Sequence, residues 1–188
     1  PYTRGRERSR PLQSILQEID LLQQKNFHEI TLLGQNVNSY HYSEDNTEYR
    51  FPALLEKVAQ TFPAMRIRFA TSHPKDLSEA LVQVMARNKN ICKSIHLPVQ
   101  SGSDAVLQRM NRKYTSAGYL KKIELLRKYM PDIAISTDVI AGFCGETGED
   151  HQATLELMKK ADYYYAFMFK YSRREGTAAA KMQDDVPE

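Results

Sequence analysis

The strongest constraint on the fold of this chain is a repeated switch between two hydrophobic periods. Short runs with strand character alternate with longer stretches in which apolar residues recur every three or four positions, as on one helix face. The five strand-like runs are residues 29–33, 65–70, 94–97, 133–141 and 163–169. Strands separated by helices are typical of parallel βαβ units, so the sequence predicts an α/β fold with a parallel sheet.

The helical stretches carry polar start residues of the kind that cap helix N-termini. The residues predicted to start a helix are, in chain order, Ser9, Asp76, Ser103 or Asp104, Thr115 and Thr147. Pro11 follows Ser9 at a first-turn position, and Asp150 follows Thr147 at the spacing of a capping box. The polar stretch 35–50 is predicted to be a loop.

The order of the elements predicts an incomplete barrel. The first periodic element is a helix, so we expect the preceding strand of the (βα) series to lie upstream of Pro1. A complete eightfold barrel needs about 250 residues, whereas this chain has 188. We therefore predict a partial (βα)6 TIM-like barrel without its first strand, in a single domain, 1–188. A doubly wound open sheet remains the alternative, because periodicity does not separate curved from flat sheets.

Composition is that of a globular domain. The hydrophobic content of 41%, the charged content of 26% and the net charge of +3 permit a polyanionic partner without indicating one. Two cysteines, Cys92 and Cys144, form neither a disulfide framework nor a close-spaced metal motif. With no signal pattern and no spanning apolar run, we expect a cytoplasmic protein without membrane contact. The start at Pro1 without an initiator Met suggests a piece of a longer protein.

The loops that follow the predicted strands are the expected place for a functional site, because parallel α/β folds bind ligands at the carboxyl ends of their strands. These loops cover residues 34–38, 71–74, 98–103, 137–146 and 171–176. They are rich in glycine and in short polar side chains, which suits a polar small molecule lying across the strand ends. The simpler interpretation is that these residues only form turns.

Two features suggest contact with nucleic acid, and each has a simpler interpretation. Four arginines lie within seven residues, at Arg4, Arg6, Arg8 and Arg10. They could follow a phosphate backbone or could simply be solvated charge. The tyrosines 163–165 with Phe167 and Phe169 could include a ring that stacks on a base. A buried strand rich in aromatics is the favoured interpretation of that run.

Other chemistries find little support in the sequence. The five histidines are His28, His41, His73, His96 and His151. No two of them have the spacing of metal ligands on one helix face. We therefore predict no histidine metal site. Cys92 and Cys144 are interpreted as small structural residues, and no phosphate-binding or dinucleotide glycine motif is present. An aldolase-like enzyme would need a Schiff-base lysine, for which only Lys170 lies near a strand end.

Five ordered motifs carry a more specific signal. In chain order they are PYTRGRERSRP, LLGQNVNSY, HLPVQSGSDAVLQRMNRKYT, STDVIAGFCGET and YSRREGTAAA. In their residues, their order and their separation, these motifs resemble the methylthiotransferase family of radical S-adenosylmethionine (SAM) enzymes over nearly the whole chain. The run GQNVNSY is similar to the tRNA-modifying branch rather than to the branch that acts on a ribosomal protein.

The resemblance implies SAM and 4Fe-4S clusters as cofactors of the full-length parent. In the family, a CxxxCxxC loop binds one cluster through three thiolates, and the amino and carboxylate groups of SAM occupy the fourth iron. We expect that loop just upstream of Pro1, and we expect an N-terminal domain with a second cluster and a C-terminal RNA-binding domain outside this chain. Cys92 and Cys144 do not match the cluster ligands, so the piece alone is expected to be inactive.

The resemblance also implies positions that contact SAM. These are Gly34, Gln35, Asn36, Gln100, Ser101, Asp138, Ile140, Gly142, Tyr171 and Arg174. The segment 34–36 would hold the SAM amine, Gln100 and Ser101 the ribose or carboxylate, and the fifth strand with Tyr171 the adenine. Arg174 would face an anionic substrate or the SAM carboxylate. With a tRNA as substrate, we expect the basic segment with Arg4, Arg6 and Arg8 to border the path of that tRNA, and the catalytic residues stay unknown.

The implied reaction of the parent is the addition of a 2-methylthio group to N6-isopentenyladenosine next to the anticodon. One SAM would supply the methyl group, and a second would supply a deoxyadenosyl radical that removes hydrogen from C2 of the base. The alternatives are a methylthiotransferase that acts on another adenosine or on a ribosomal protein, a (βα) barrel enzyme without radical chemistry, and an RNA-binding scaffold module.

Overall fold

The computed structural model describes residues 8–44, 46–70, 73–183 and 186. The chain divides into two compact units. Unit 1 comprises Pro1–Thr71 with Ser78–Lys93, and unit 2 comprises Ser72–Leu77 with Ser94–Glu188. The assignment of residues 1–188 to one domain stays a prediction.

Unit 1 pairs two strands in parallel and packs helices against them. Its elements are α1 (Leu12–Gln24), β1 (Glu29–Leu32), β2 (His41–Glu44), β3 (Thr47–Arg50), α2 (Phe51–Thr61), β4 (Arg66–Phe69) and α3 (Glu79–Arg87). The strands β1 and β4 are parallel, with Ile30 opposite Ile67 at the buried positions of the pair. Helix α2 forms because its apolar residues recur at helical spacing, and Leu55 and Val58 on that face are fully buried.

Unit 2 contains a parallel sheet of three strands together with three helices. Its elements are β5 (Ser94–His96), α4 (Asp104–Arg109), α5 (Ser116–Tyr129), β6 (Ala134–Ala141), α6 (Gly148–Ala161) and β7 (Tyr165–Lys170). The strand order is β5-β6-β7, and both pairings are parallel. Ile95, Ile135 and Leu126 are almost completely buried and form part of its core. The five predicted strands are thus confirmed, with ends shifted by one or two residues.

The prediction of a loop across residues 35–50 is wrong in its second half, where β2 and β3 form an antiparallel hairpin. His41 pairs with Arg50 and Ser43 pairs with Glu48, so the hairpin has polar residues at most positions. A hairpin without alternating apolar residues gives no period-2 signal. The residue that indicates a turn here is Asn46, whose φ of 62° lies in the left-handed region that asparagine tolerates.

Three predicted helix starts are confirmed by side-chain caps. The Ser103 and Thr115 hydroxyls accept hydrogen bonds from backbone N–H groups in the first turns of α4 and α5. Thr147 and Asp150 form a complete capping box at the start of α6. None of the helices in the described ranges is long and apolar enough to cross a membrane.

Two predicted helix starts are wrong. Ser9 does not cap α1, because its hydroxyl instead accepts a hydrogen bond of 3.0 Å from the backbone N–H of His41. Asp76 ends a short 3₁₀ turn, Pro74–Asp76, and does not open α3. The cap of α3 is Ser78, whose hydroxyl accepts from the backbone N–H of Leu81 at 3.2 Å. The proline at position 74 favours a tight turn before the helix begins.

Candidate functional site

The sheet β5-β6-β7 is buried on one face along β5 and β6, whereas β7 is exposed on both faces, with Met168 73% exposed on the second one. The register places His96 opposite Ser136, Asp138 opposite Phe167, and Ile140 opposite Phe169. Paired residues on adjacent strands, and alternate residues on one strand, share a face. We call this side of the sheet the open face, and its residues are His96, Ser136, Asp138, Ile140, Tyr165, Phe167 and Phe169.

The buried face holds the end of β5 in place through a chain of hydroxyl groups. Tyr163 donates to the hydroxyl of Tyr119 at 3.0 Å, and Tyr119 donates to the carbonyl of Leu97 at 2.7 Å. Thr137 donates to the same carbonyl at 3.0 Å and accepts from the N–H of Val99 at 2.9 Å. Burial raises the pKa of Tyr163 to about 12 and raises the pKa of Tyr119 further. Both phenols therefore remain protonated donors at neutral pH.

The loop after β5 is fixed to helix α6 by a close backbone approach. The N–H of Gly102 donates to Thr154 Oγ1 at 2.9 Å, and Ser101 Oγ lies 3.2 Å from the same atom. A Cβ on residue 102 would lie 2.5 Å from the carbonyl oxygen of Ala153, so this position requires glycine. The side chain of Ser101 is completely buried. Contact between Ser101 and SAM stays a prediction, and a side-chain contact would require these bonds to break.

Gln100 continues the parallel pairing of the loop with β6. Its N–H donates to the carbonyl of Asp138 at 2.8 Å, and its carbonyl accepts from the N–H of Ile140 at 2.9 Å. Its φ of 70° lies in the left-handed region, which is strained for a residue other than glycine. Strain of this kind is typical of functional sites, and it is consistent with the predicted role of Gln100.

A buried carboxylate that the sequence analysis did not single out organises the end of β6. Glu146 Oε2 accepts hydrogen bonds from the N–H of Gly142 at 2.5 Å and from the N–H of Phe143 at 3.0 Å. The side chain of Glu146 is only 3% exposed. It fixes the turn in which Gly142 has a φ of 76°. The sequence feature that could have indicated this role is the run GFCGE, in which a carboxylate follows two glycines just after a predicted strand.

The last two predicted SAM contacts follow β7. Tyr171 packs edge-on against the ring of Phe143, with ring centroids 5.0 Å apart. Arg174 is exposed to solvent. The structure therefore brings Tyr171 close to the end of β6, next to Gly142, while Arg174 remains on the surface. Both stay predictions as cofactor contacts.

The open face carries a hydrogen-bonded group that the sequence did not reveal. His96 Nδ1 lies 3.0 Å from Ser136 Oγ, and His96 Nε2 lies 3.4 Å from Asp138 Oδ2. The side chains of His96 and Asp138 are 27% and 28% exposed. The alternation of side chains along a strand predicts that Ser136 and Asp138 share a face. That His96 joins them depends on the register of β5 against β6, which the sequence does not show.

The aromatic residues of β7 are not buried, contrary to the favoured interpretation of the sequence. Tyr165, Phe167 and Phe169 are 49%, 50% and 53% exposed. The reason is that β7 is the last strand of its sheet, so strand neighbours lie on one side only. The ring of Phe167 meets the ring of His96 edge-on at 6.1 Å, which joins the aromatic row to the polar group.

Unit 1 contains a separate cavity of about 980 Å³. The predicted positions Gly34, Gln35 and Asn36 line it, together with Arg8 and Tyr40. Its other walls include apolar residues of α1 and β1, among them Ile15, Ile19 and Ile30. Arg8 is exposed, whereas the predicted tRNA contacts Arg4 and Arg6 lie outside the described residues.

The cysteines and the metal-binding side chains show no cluster site within the described residues. No group of three or more His, Cys, Asp and Glu side chains there is arranged to hold a metal ion. Cys144 is buried against Val106 and Phe143. Cys92 accepts a hydrogen bond of 3.0 Å from Arg66 Nε, in unit 1. These residues do not provide the ligands of an iron–sulfur cluster.

The sequence of the chain matches a known family over most of its length. The family model described as the Radical SAM superfamily matches residues 1–158. The chain belongs to the radical SAM superfamily. This superfamily is defined by its use of SAM, which agrees with the polar, glycine-rich strand ends described above.

Curated relatives resemble the whole of this chain. A protein of Parabacteroides distasonis is 57% identical over 189 residues, and one of Chlorobium phaeobacteroides is 55% identical over 189 residues. Both are named tRNA-2-methylthio-N(6)-dimethylallyladenosine synthase. The alignments cover 100% of this chain but only 41% and 42% of the relatives. The chain thus spans about two fifths of the length of these proteins.

Solved structures show the fold. The radical SAM methyltransferase TsrM from Kitasatospora setae, solved with cobalamin and a [4Fe-4S] cluster, matches with a TM-score of 0.67 at 17% identity, covering 88% of this chain and 32% of that one. Methylornithine synthase (PylB) matches with a TM-score of 0.58 at 17% identity, covering 94% and 48%. These likenesses confirm the predicted fold class, a partial barrel of the radical SAM type with parallel α/β pairing.

Proposed function

We propose that this chain is the SAM-binding core of a tRNA methylthiotransferase that adds a 2-methylthio group to N6-dimethylallyladenosine. The observation that carries the proposal is the 57% identity, across the whole chain, to a relative named for that reaction. The complete activity belongs to a longer protein, because the chain spans 41% of that relative. Since tRNA is the substrate, the proposal places the reaction in the cytoplasm.

The strand ends of unit 2 carry groups whose chemistry suits SAM. At Gly142 the backbone is open: among the described residues, the only atom within 4 Å of a Cβ placed there is Val186 Cγ1, at 3.9 Å, so a ligand can approach the backbone closely. Gln100 and Ile140 border this position through their paired backbones. Tyr171 adds an aromatic ring, and Asp138 adds a carboxylate that can accept hydrogen bonds. We propose that these residues hold the adenosine part of SAM.

The protein groups around the strand ends position the cofactor rather than react with it. Bound SAM supplies the methyl group and, after reductive cleavage, the radical that removes hydrogen from the substrate. The carboxylate of Glu146 keeps the N–H groups of Gly142 and Phe143 in one orientation, which fixes the turn at the end of β6. Gly102 locks the neighbouring loop to α6. Rigid support of this kind is what precise orientation of a reacting group requires.

An iron–sulfur cluster belongs to the proposal as a cofactor of the longer protein. The described residues do not fit it, because they include no group of three or more potential metal ligands. The cluster ligands are accordingly proposed to lie outside this chain. For Gly34, Gln35 and Asn36 in unit 1, and for Arg174, contact with SAM remains a prediction.

The experiment that tests the proposed function is nucleoside analysis of tRNA. The full-length protein would be expressed in a bacterial strain that lacks 2-methylthio modification, and the tRNA would be digested and analysed by mass spectrometry. We expect 2-methylthio-N6-dimethylallyladenosine to appear. The variant Glu146→Gln should reduce its yield, whereas His41→Gln, on the hairpin of unit 1, should not.

Two results would contradict the proposal. The first is tRNA that stays unmodified while the purified protein, with reconstituted clusters, cleaves SAM. The second is the appearance of the methylthio group on a ribosomal protein, which would assign the chain to the other branch of the family.

A further inference from the structure

Arg109, the last residue of α4, reaches the turn that follows β6. Its Nη2 atom donates a hydrogen bond of 2.9 Å to the carbonyl of Gly145 and lies 3.6 Å from Asp150 Oδ2. A Cβ placed on Gly145 would lie 3.6 Å from Cζ and from Nε of Arg109, so the guanidinium group lies directly beside this glycine. The loop that leads from β5 into α4 is thereby joined to the turn that leads from β6 into α6.

The turn after β6 needs such a restraint, because it contains two glycines in the left-handed region. The φ angle is 76° at Gly142 and 73° at Gly145, and glycine has access to many other backbone conformations. The peptide unit between Gly145 and Glu146 is held at both of its polar ends. Arg109 donates to its carbonyl, and its N–H donates to the carbonyl of Phe143 at 2.8 Å.

We propose that Arg109 is a positioning residue for SAM. By holding the Gly145 carbonyl, the guanidinium group fixes the peptide unit that precedes Glu146, and Glu146 in turn orients the N–H groups of Gly142 and Phe143. The inference rests on the proposed function, which places the adenosine part of SAM beside Gly142. It assigns a role to Arg109, for which the sequence analysis had none.

Asp150 keeps the guanidinium group in place. In addition to facing Arg109, its carboxylate accepts hydrogen bonds from the Ser103 hydroxyl and from the N–H of Thr147, the latter at 3.0 Å. Ser103 is the N-cap of α4, and Thr147 is the N-cap of α6. The starts of both helices therefore meet at one carboxylate, and Arg109 cannot turn away from Gly145 without leaving this carboxylate.

The alternative is that Arg109 only holds α4 in place. Packing between α4 and the turn is already supplied by Val106, which is buried against Phe143 and Cys144. The Nε atom of Arg109 is buried and has no hydrogen-bond partner in the part of the chain that the structure describes. A charged donor held partly out of water makes a stronger hydrogen bond than a neutral one. The contact with Gly145 is therefore suited to fix one peptide orientation.

SAM binding by the full-length protein with reconstituted clusters provides the first test. Equilibrium dialysis with radiolabelled SAM gives the Kd. Arg109→Met keeps an unbranched apolar stem and removes the guanidinium group, and we expect it to raise the Kd for SAM about three- to tenfold, as for the loss of one hydrogen bond. Arg109→Lys keeps a charged donor for a single acceptor and should restore the Kd to within about twofold of wild type.

Arg127 offers a matched control in the same unit. It also donates from Nη2 to a backbone carbonyl, that of Asp162 at the C-terminal end of α6, at 2.6 Å. Arg127→Met removes an equivalent contact at the end of α6 that lies away from the turn. We expect it to lower the melting temperature as Arg109→Met does and to leave the Kd for SAM unchanged. A similar rise of the Kd in both variants would show general loosening and would overturn the proposal.

Hydrogen exchange without SAM tests the route from Arg109 to the proposed site. We expect the amides of Gly142 and Phe143 to exchange at least about threefold faster in Arg109→Met than in wild type, and at the wild-type rate in Arg127→Met. A raised Kd with unchanged exchange at these amides would show that Arg109 does not act through the turn. That result would overturn the positioning role.

The measurements separate this inference from the proposed function. Wild-type protein that binds SAM and modifies tRNA, together with an unchanged Kd in Arg109→Met, would leave the methylthiotransferase assignment intact and remove only the role of Arg109. Wild-type protein that binds no SAM would remove the proposed function itself, and the inference with it.

Discussion

The hydroxyl of Tyr163 donates a hydrogen bond of 3.0 Å to the hydroxyl of Tyr119, which in turn donates one of 2.7 Å to the carbonyl of Leu97, just after β5. Tyr119 lies on α5 and is completely buried. Tyr119→Phe should destabilise the protein by about 1–3 kcal/mol, because it leaves the partly buried Tyr163 hydroxyl without its acceptor and removes one donor from the Leu97 carbonyl. Thermal unfolding of the full-length protein would measure the loss.

Tyr163→Phe provides the comparison for this prediction. It removes the outer hydroxyl and leaves the bond between Tyr119 and Leu97 in place, so it should cost about 1 kcal/mol or less. A larger loss for Tyr163→Phe than for Tyr119→Phe would contradict the order of the network.

Gly102→Ala should displace the loop after β5. The added Cβ would lie 2.5 Å from the Ala153 carbonyl oxygen and 2.6 Å from Thr154 Cα, and these are backbone atoms of α6 that cannot rotate away. We expect a loss of about 1–3 kcal/mol, as for other overpacked sites, and weaker binding of SAM. The control is Gly148→Ala at the start of α6, where a Cβ meets nothing within 4 Å. Equal stability of the two variants would contradict the prediction.

The capping box of α6 should make stability depend on acid pH. The hydrogen bond from Ser103, followed by that from the Thr147 backbone N–H, lowers the pKa of Asp150 below its ordinary value. The folded state therefore favours the carboxylate. Its stabilisation is complete above the ordinary value of about 3.9 and is lost as pH falls through the lower folded-state pKa.

Asp150→Asn tests this dependence. It should cost about 0.5–2 kcal/mol at pH 7, as for the loss of a helix cap, and the difference from wild type should shrink as the pH falls through the lowered folded-state pKa, below which Asp150 is protonated in both states. Hydrogen exchange at the first amides of α6 reports the effect locally. Glu149→Gln removes the same charge from the neighbouring residue and is the control. A constant difference across the whole acid range would argue against the carboxylate.

The arginine segment should contribute to tRNA binding by pairing with phosphate groups. Replacing Arg4 and Arg6 by alanine in the full-length protein should weaken binding and reduce the slope of log Kd against log salt by about one for each phosphate that is no longer neutralised. Replacing Arg87 and Lys89 by alanine, both exposed in unit 1, removes the same two charges and should leave the slope unchanged, which controls for net charge. If the slope of the double variant equals that of wild type, the segment does not bind the RNA backbone.

The sequence predicted the elements whose residues interact with near neighbours in the chain. The cap of α6 depends on Thr147 and Asp150, three residues apart, and the box formed as the spacing indicated. The strand 133–141 was found because a continuous apolar run predicts a buried strand. Ser9 failed as a cap for the opposite reason: its partner is the His41 backbone, 32 residues away.

Long-range pairing decided the candidate site. His96 meets Asp138 only because β5 and β6 align in one register, and Glu146 caps the end of β6 only after the chain has turned at Gly142. The exposure of Phe167 follows from the edge position of β7 in the sheet. A hydrophobic pattern cannot show that position, since aromatic residues are equally typical of buried strands.

By itself, the sequence determined the succession of helices and strands, the parallel α/β class and the membership of a SAM-using superfamily, because local periodicity, caps and ordered motifs are written in neighbouring residues. Only the tertiary structure decided which side chains share a face, which hydroxyls meet under the sheet and which aromatic rings remain open to a ligand. Those relationships depend on strand register and strand order, which join residues tens of positions apart and leave no trace in the local pattern.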